Sequence, residues 1–235
     1  LVSVALHELT HALVFSQGLF EGFLGRTQPA TSFLPTPAGG RARALTTPRV
    51  VRAARRHFDC PTLSGAMLED GGGAGTSSSH WETRIFRDEY MTGSAAVGPR
   101  FVSELTLAAF ADSGWYEVDS TAAEPLPWGA GAGCAFAEGT CAGGEWEHRT
   151  GYLCATPGQP GCSYDRRAEA YCDLRLHEAP LDPAYRHFAN DARLGGYSEL
   201  LDYCPVFRPY SNGQCTDSGS PAATEGSERC EACRC

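Results

Sequence analysis

The sequence predicts an α+β fold in two parts, with a mainly helical part up to residue 119 and a loop-rich, disulfide-stapled part over residues 120–235. Three segments before residue 120 repeat their apolar residues at helical spacing. All but Cys60 of the eleven cysteines lie between Cys134 and Cys235, among many Pro and Gly residues. Such a composition is typical of a small unit held together by disulfides. The boundary between the parts is expected near residues 120–127.

The first part is predicted to contain three helices. Residues 1–17 form a mostly apolar, buried helix, and residues 18–47, interrupted by several Gly and Pro residues, are expected to be a long loop. The second helix begins with Thr47 as N-cap and Pro48 as its first residue. The third covers residues 99–113 and ends at Gly114. Because the helical pattern starts at Leu1, the chain is expected to be a fragment that begins within a helix.

The composition narrows the classes of function. With 235 residues and 42% hydrophobic content, the chain can bury a core. Its formal net charge of −9 argues against binding to nucleic acid or to an anionic membrane surface. The dense cysteines predict export, to the medium or to the extracellular cell surface. No apolar run is long enough to span a bilayer, so any membrane association is expected to use segments outside this chain.

One motif in the first helix carries metal chemistry. The sequence His7-Glu8-Leu9-Thr10-His11 has the H-E-x-x-H pattern, which places both imidazoles on one helix face about one turn apart. Glu8 lies roughly 100° around the helix from His7, too far to join the pair but near enough to hold a water on a bound metal. The motif therefore predicts a catalytic Zn²⁺ site with Glu8 acting on the water.

A catalytic zinc needs a third protein ligand and leaves its fourth position to water. The compact extended motif would place a histidine at position 17, where this chain has Gln17, and a glycine at position 14, where it has Val14. His80 is the favoured third ligand, because it follows a glycine-rich loop and precedes Met91, a candidate Met-turn. The other histidines are disfavoured: His57 as a helix-surface residue, and three within the disulfide loops, His148, His177 and His187.

Longer motifs resemble a known family. They comprise residues 71–76, 79–82, 88–89 and Met91, and further downstream residues 127–129, 133–136, 202–206 and 209–213 with Cys141 and Cys215. Together they are similar to leishmanolysin, a metzincin family in which a long insertion separates the second and third zinc histidines. The likeness covers most of residues 1–215.

The resemblance implies that residues 1–119 are the C-terminal half of a metzincin catalytic domain whose N-terminal subdomain is absent, and that a Cys-rich domain follows over residues 120–235. It implies a zinc-dependent metalloendopeptidase, secreted or anchored at the cell surface, that acts on polypeptides. His7, His11 and His80 would hold one Zn²⁺, Glu8 would activate the water, and Met91 would form the structural Met-turn. The implied disulfides are Cys60–Cys134, Cys141–Cys204 and Cys154–Cys172.

Two departures from the family affect the site. Val14 replaces the glycine on which the family's helix turns beneath the metal, and a β-branched residue tolerates positive φ poorly. The helix is therefore expected to turn later, near Gly18, or to differ locally. Thr92-Gly93 stands where the family usually has Ala-Pro. Glu82 and Asp88 are candidate acceptors for histidine N–H groups, although solvated carboxylates are commoner.

Two other functions fit parts of the sequence. A catalytically weak or silent cell-surface adhesion protein could keep the zinc fold, with Val14 as the sign of relaxed geometry. A disulfide-rich structural domain could carry H-E-x-x-H by chance, although the arrangement of His80 and Met91 would then have no reason. The tail cysteines Cys230, Cys233 and Cys235 include a C-x-x-C spacing that suits zinc, but disulfides are favoured there.

Overall fold

The computed structural model describes residues 2–36, 40–93, 100–141 and 151–215. Helices and strands are mixed, as expected for an α+β protein. The chain forms two compact units, Leu1–Gly139 and Thr140–Cys235, so the first unit extends beyond the expected boundary at residues 120–127. The added segment belongs to the first unit because the Trp128 indole donates to the carbonyl of Arg84 at 3.0 Å and Cys134 is bridged to Cys60.

The first predicted helix is two helices, α1 (Val2–Leu13) and α2 (Gln17–Phe20). At the end of α1 the amides of Val14 and Phe15 both donate to the carbonyl of Thr10, each at 2.9 Å. Both side chains are fully buried, and neither residue has a positive φ. The chain therefore turns earlier than expected, and burial of two apolar side chains replaces the glycine turn.

Helix α1 is not buried as expected. Its apolar side chains are largely exposed among the described residues, namely Val4, Leu6, Leu9 and Leu13. Among the described side chains of α1, those that are not exposed share one face: Thr10 is buried, and His7 and His11 are partly buried. The apolar composition of the helix thus does not reflect a core position within this unit.

The expected loop after α1 contains a hairpin. Strands β1 (Thr31–Pro35), β2 (Arg41–Leu45) and β3 (Ala66–Met67) form an antiparallel sheet in the order β1-β2-β3. The central strand β2 contains neither Gly nor Pro, and Pro35 ends the edge strand, where a missing N–H is tolerated. The prediction of a continuous loop was therefore wrong, because Gly and Pro residues are tolerated at the ends and edges of these strands.

The second and third predicted helices are present. Helix α3 (Pro48–Phe58) has Pro48 at its first position as predicted, but the Thr47 side chain makes no capping bond. Instead the Asp112 carboxylate accepts from the amides of Arg49 and Val50, at 2.8 and 3.2 Å. A short helix, α4 (Thr83–Phe86), lies in sequence between α3 and the third predicted helix.

Helix α5 (Glu104–Ser113) ends at Gly114, whose φ of 74° confirms the predicted C-cap. Its N-cap is Ser103, later than the predicted start at Pro99, which lies outside the described residues. Helix α6 (Cys134–Glu138) is the last helix of the first unit. The core of this unit is rich in buried rings, with contacts among Phe15, Phe20, Phe58, Trp81, Phe86, Trp128 and Phe136.

The second unit is built from short strands. Strands β4 (Pro160–Cys162), β5 (Ala168–Cys172) and β8 (Phe207–Gln214) form one antiparallel sheet, and β6 (Arg175–Leu176) pairs with β7 (Leu194–Gly195). The disulfides Cys141–Cys204 and Cys154–Cys172 confirm the implied pairing, as Cys60–Cys134 does in the first unit. Cys162 and Cys215 are also disulfide-bonded. The tail cysteines lie outside the described residues.

Across the described parts of both units, every helix is too short or too polar to cross a membrane.

Candidate metal centre

Three histidine rings converge in the first unit. The Nε2 atom of His7 lies 3.0 Å from that of His11 and 3.1 Å from that of His80, and the last two atoms are 3.1 Å apart. Two rings come from one face of α1, as the i, i+4 spacing predicted, and the third follows the glycine-rich loop. The structure therefore brings together the three histidines that the sequence analysis selected.

Backbone carbonyls orient all three rings. The Nδ1 atoms of His7, His11 and His80 lie 2.7, 2.7 and 3.0 Å from the carbonyl oxygens of Tyr90, Phe15 and Thr76, respectively. A carbonyl can only accept a hydrogen bond, so each Nδ1 carries the proton and each Nε2 presents a lone pair. Three lone pairs that face one another at about 3 Å repel unless a cation lies among them.

Backbone carbonyls, and not the candidate carboxylates of Glu82 and Asp88, accept from the three Nδ1 atoms. Every Nδ1 already has a carbonyl partner. The carboxylate of Glu82 accepts from the amide of Arg84 at 3.1 Å and caps α4 instead. The backbone carbonyl of Asp88 accepts from the amide of Phe101. This bond joins the turn that contains Met91 to the segment before α5. Carbonyl partners at a metal-binding histidine serve the same purpose, because they fix the tautomer and the plane of the ring.

The donor set suits zinc. At a tetrahedral Zn²⁺ with Zn–N distances of 2.0–2.1 Å, neighbouring ligand atoms lie about 3.3 Å apart. The observed separations of 3.0–3.1 Å between Nε2 atoms differ from this value by a few tenths of an ångström. Three neutral imidazoles also match the common donor set of catalytic zinc, which keeps its fourth position for water or substrate. The residues present therefore fit the ion.

The local electrostatics keep two of these rings, His7 and His80, neutral. Burial lowers the pKa of His80 to about 4, against the opposing effects of its bond to the Thr76 carbonyl and of the Glu8 charge. Burial also lowers the pKa of His7, while the Tyr90 carbonyl and Glu8 again act in the opposite direction. Both imidazoles are thus unprotonated at Nε2 near neutral pH and are available as ligands.

Glu8 and Met91 differ in their exposure to solvent. The Glu8 side chain is exposed, yet its charge influences the pKa of both His7 and His80. Met91 is fully buried and follows Tyr90, whose carbonyl orients His7. The Met91 carbonyl accepts from the Trp81 amide at 3.0 Å, which links the candidate Met-turn to the residue after His80.

Gly93 is required by the loop that holds His80. A Cβ atom added at Gly93 would overlap the Cγ2 atom of Thr76, and the Thr76 carbonyl orients the His80 ring. The glycine at position 93, which departs from the family's usual residue, is therefore explained by the close approach of Thr76. Sequence reasoning could not assign roles to Thr76, Phe15 or Tyr90, because they act through carbonyl groups that every residue possesses.

Gly93→Ala is expected to weaken zinc binding roughly tenfold, the scale typical of residues that support a metal ligand. The reason is that Thr76 must move to accept the new methyl group. Thr76→Ser removes Cγ2 and should restore affinity in the double variant. Chelator competition would measure the affinities, with Gly75→Ala as the control, since an added Cβ there meets no atom within 4 Å. Equal affinities for Gly93→Ala and Gly75→Ala would refute this role.

The remaining described histidines have structural partners. His57 is not a surface residue, because burial lowers its pKa and its Nε2 donates to the carbonyl of Trp128 at 2.8 Å. In the second unit His177 and His187 donate to the carbonyls of Gly196 and Asp202, at 3.0 and 2.6 Å. His187 also lies near Cys141 and Cys204, but those thiols are joined in a disulfide. His148 lies outside the described residues.

Comparison with known proteins gives one consistent family. A family model described as leishmanolysin matches residues 1–235. The chain is 35% identical over 264 residues to a leishmanolysin-like peptidase of Drosophila pseudoobscura pseudoobscura, covering 90% of the chain and 38% of the relative. It is 35% identical over 226 residues to leishmanolysin of Leishmania tropica, covering 94% of the chain and 33% of the relative.

A leishmanolysin-like peptidase of Drosophila melanogaster is 39% identical over 184 residues, which is 71% of the chain and 27% of the relative. The chain thus spans roughly a third of the length of the curated relatives it matches. The match to the family extends over all the residues that form the histidine cluster. The chain therefore belongs to the leishmanolysin family of peptidases.

Proposed function

We propose that this chain is the zinc-binding portion of a metalloendopeptidase that hydrolyses peptide bonds in proteins. The observation that carries the proposal is the convergence of three Nε2 lone pairs, on His7, His11 and His80, within 3.1 Å of one another. The peptidase family to which the chain belongs supports the same activity. Convergence at this spacing also argues against a chance H-E-x-x-H in a purely structural domain.

The three histidines would hold one Zn²⁺, and the bound ion supplies Lewis acidity that polarises a peptide carbonyl and makes water nucleophilic at neutral pH. The carbonyls of Tyr90 and Thr76 keep His7 and His80 in the tautomer that can bind the ion. Since burial lowers the pKa of both rings, protons do not compete for the ligand atoms near pH 7.

Glu8 would be the general base. It follows His7 on the helix and is exposed, so water and substrate can reach its carboxylate. The carboxylate takes a proton from water as the oxygen attacks the scissile carbonyl, and it then passes that proton to the leaving amine. The peptide C–N bond breaks as the amine departs, so the proton returns to product and Glu8 is regenerated.

Met91 would act by packing and not by ligation. It is fully buried and directly follows Tyr90, whose carbonyl orients His7, which is consistent with a hydrophobic floor. Residues 1–119 would correspond to the C-terminal half of a metzincin catalytic domain, and the compact first unit extends that part to Gly139. Disulfides in both units support a secreted or cell-surface location, because such bridges persist in oxidising compartments.

The test is hydrolysis of an unstructured protein substrate by the full-length protein, with and without a zinc chelator. We expect cleavage that the chelator abolishes and that added Zn²⁺ restores. Zinc binding without any cleavage would favour the alternative of a silent adhesion protein with the same fold. Cleavage that survives complete metal removal would refute the proposal.

A further inference from the structure

Tyr90 makes two hydrogen bonds to helix α1, which carries two of the three histidines. The His7 ring donates to the Tyr90 carbonyl at 2.7 Å, and the hydroxyls of Tyr90 and Thr10 lie 2.9 Å apart. Because the Thr10 hydroxyl donates to the Leu6 carbonyl, the Tyr90 hydroxyl is the donor to Thr10. Thr10 is the buried residue on the contact face of α1, so Tyr90 holds the helix at two points.

Tyr90 in turn is held by Glu89. The Glu89 carboxylate is fully buried and accepts from the Met91 amide at 2.6 Å, the Ser103 hydroxyl at 2.9 Å and the Thr106 hydroxyl at 2.5 Å. Ser103 is the N-cap of α5, and Thr106 lies in the first turn of that helix. The Glu89 carboxylate thus connects both residues that flank Tyr90, Glu89 itself and Met91, to the start of α5.

The same network reaches the His80 side of the cluster. Trp81 is fully buried, and its indole N–H donates to the Thr106 hydroxyl at 2.8 Å. Its backbone amide donates to the Met91 carbonyl at 3.0 Å. Glu89 is therefore connected through Thr106 and Met91 to Trp81, which follows His80, and through Tyr90 to His7.

We infer that Glu89 and Tyr90 are positioning residues that keep His7 at a fixed distance from His80. The inference rests on the proposed zinc site and extends it to residues that do not touch the ion. Removal of the Glu89 carboxylate would leave buried donors from Met91 and α5 without an acceptor, an arrangement that folded proteins avoid. The turn would then shift, and the carbonyl that orients His7 would shift with it.

Two variants of Glu89 test this role in the full chain. Glu89→Ala should weaken zinc binding by about 10- to 100-fold, as is typical when the support of a metal ligand is lost. It should also change the visible absorption spectrum of the Co²⁺-substituted protein, which reports ligand geometry independently of activity. Glu89→Gln should lose less affinity than Glu89→Ala, since its amide oxygen can still accept from the Met91 amide, whereas the Ser103 and Thr106 hydroxyls lose their acceptor.

Tyr90→Phe is a milder test because it removes only the bond to Thr10. We expect a several-fold loss of zinc affinity, a similar loss in Thr10→Val, and little further loss when both changes are combined, since they break one shared bond. Asp112→Ala is the matched control, because its carboxylate also accepts from two backbone amides but at the start of α3. It should lower the melting temperature and leave the zinc affinity and the Co²⁺ spectrum unchanged.

Wild-type zinc affinity and an unchanged Co²⁺ spectrum in folded Glu89→Ala would overturn the inference, because Glu89 would then act as Asp112 does. If Glu89→Ala does not fold, Tyr90→Phe decides, and unchanged affinity and spectrum in that variant would overturn it equally. Failure of the wild-type chain to bind zinc or cobalt would refute the proposed function itself. The two failures are distinguishable. If the proposed function fails, the wild-type chain binds no metal; if only this inference fails, the wild-type chain binds zinc and its variants bind it equally well.

Discussion

Glu8→Gln should retain zinc and lose nearly all peptide hydrolysis. The glutamine keeps the shape of the side chain, but it cannot take a proton from water, so the turnover number should fall by about 10²- to 10⁴-fold. The three histidines are untouched, and their carbonyl partners Tyr90, Phe15 and Thr76 remain in place. Zinc content should therefore stay stoichiometric.

The measurement pairs metal analysis with steady-state hydrolysis by the full-length protein. Glu21→Gln is the matched control, because Glu21 is also exposed and close in sequence but lies outside the histidine cluster. Turnover in Glu8→Gln equal to that of Glu21→Gln would eliminate Glu8 as the base. Loss of zinc from Glu8→Gln would instead show that the residue contributes to metal binding.

His80→Ala should reduce zinc affinity as severely as His11→Ala does. Each change removes one of three Nε2 atoms that lie within 3.1 Å of one another. We expect a loss of more than about 100-fold, beyond the 10- to 100-fold typical of residues that only support a ligand. Competition with a chelator of known affinity would measure both variants.

His57→Ala is the control for this comparison. His57 is also a partly buried histidine of the first unit, but its ring donates to the Trp128 carbonyl and lies outside the cluster. It should lower stability and leave zinc affinity near the wild-type value. Stoichiometric zinc in His80→Ala together with an empty site in His11→Ala would show that the third ligand lies elsewhere.

Val14 gives no structural support to the alternative of a silent protein. That alternative treated a β-branched residue at the helix turn as a sign of relaxed geometry. Val14 is fully buried without a positive φ, and the chain has already left the helix after Leu13. The next residue, Phe15, presents its carbonyl to His11 at 2.7 Å. Val14 therefore stands in place of the family's glycine without backbone strain, and the His11 ring keeps its carbonyl partner.

The parts of the fold that depend on neighbouring residues could be predicted from the sequence. His7 and His11 share a face because the helix repeat sets the geometry of i and i+4. The start of α3 at Pro48 and the end of α5 at Gly114 also follow from local backbone preferences. The hairpin of β1 and β2 was missed, because pairing between strands depends on contacts that no local pattern records.

The sequence by itself determined the donor types of the centre, namely two histidines one turn apart with Glu8 beside them, because a helix sets their spacing locally. It selected His80 only through loop position and family resemblance, since the approach of a distant loop has no local signature. The tertiary structure decided which carbonyls orient the three rings, through Tyr90, Phe15 and Thr76. It also decided that Glu89 joins the two sides of the cluster. The physical reason is that carbonyls are the same in every residue, so only the path of the folded chain determines which of them meets a ring.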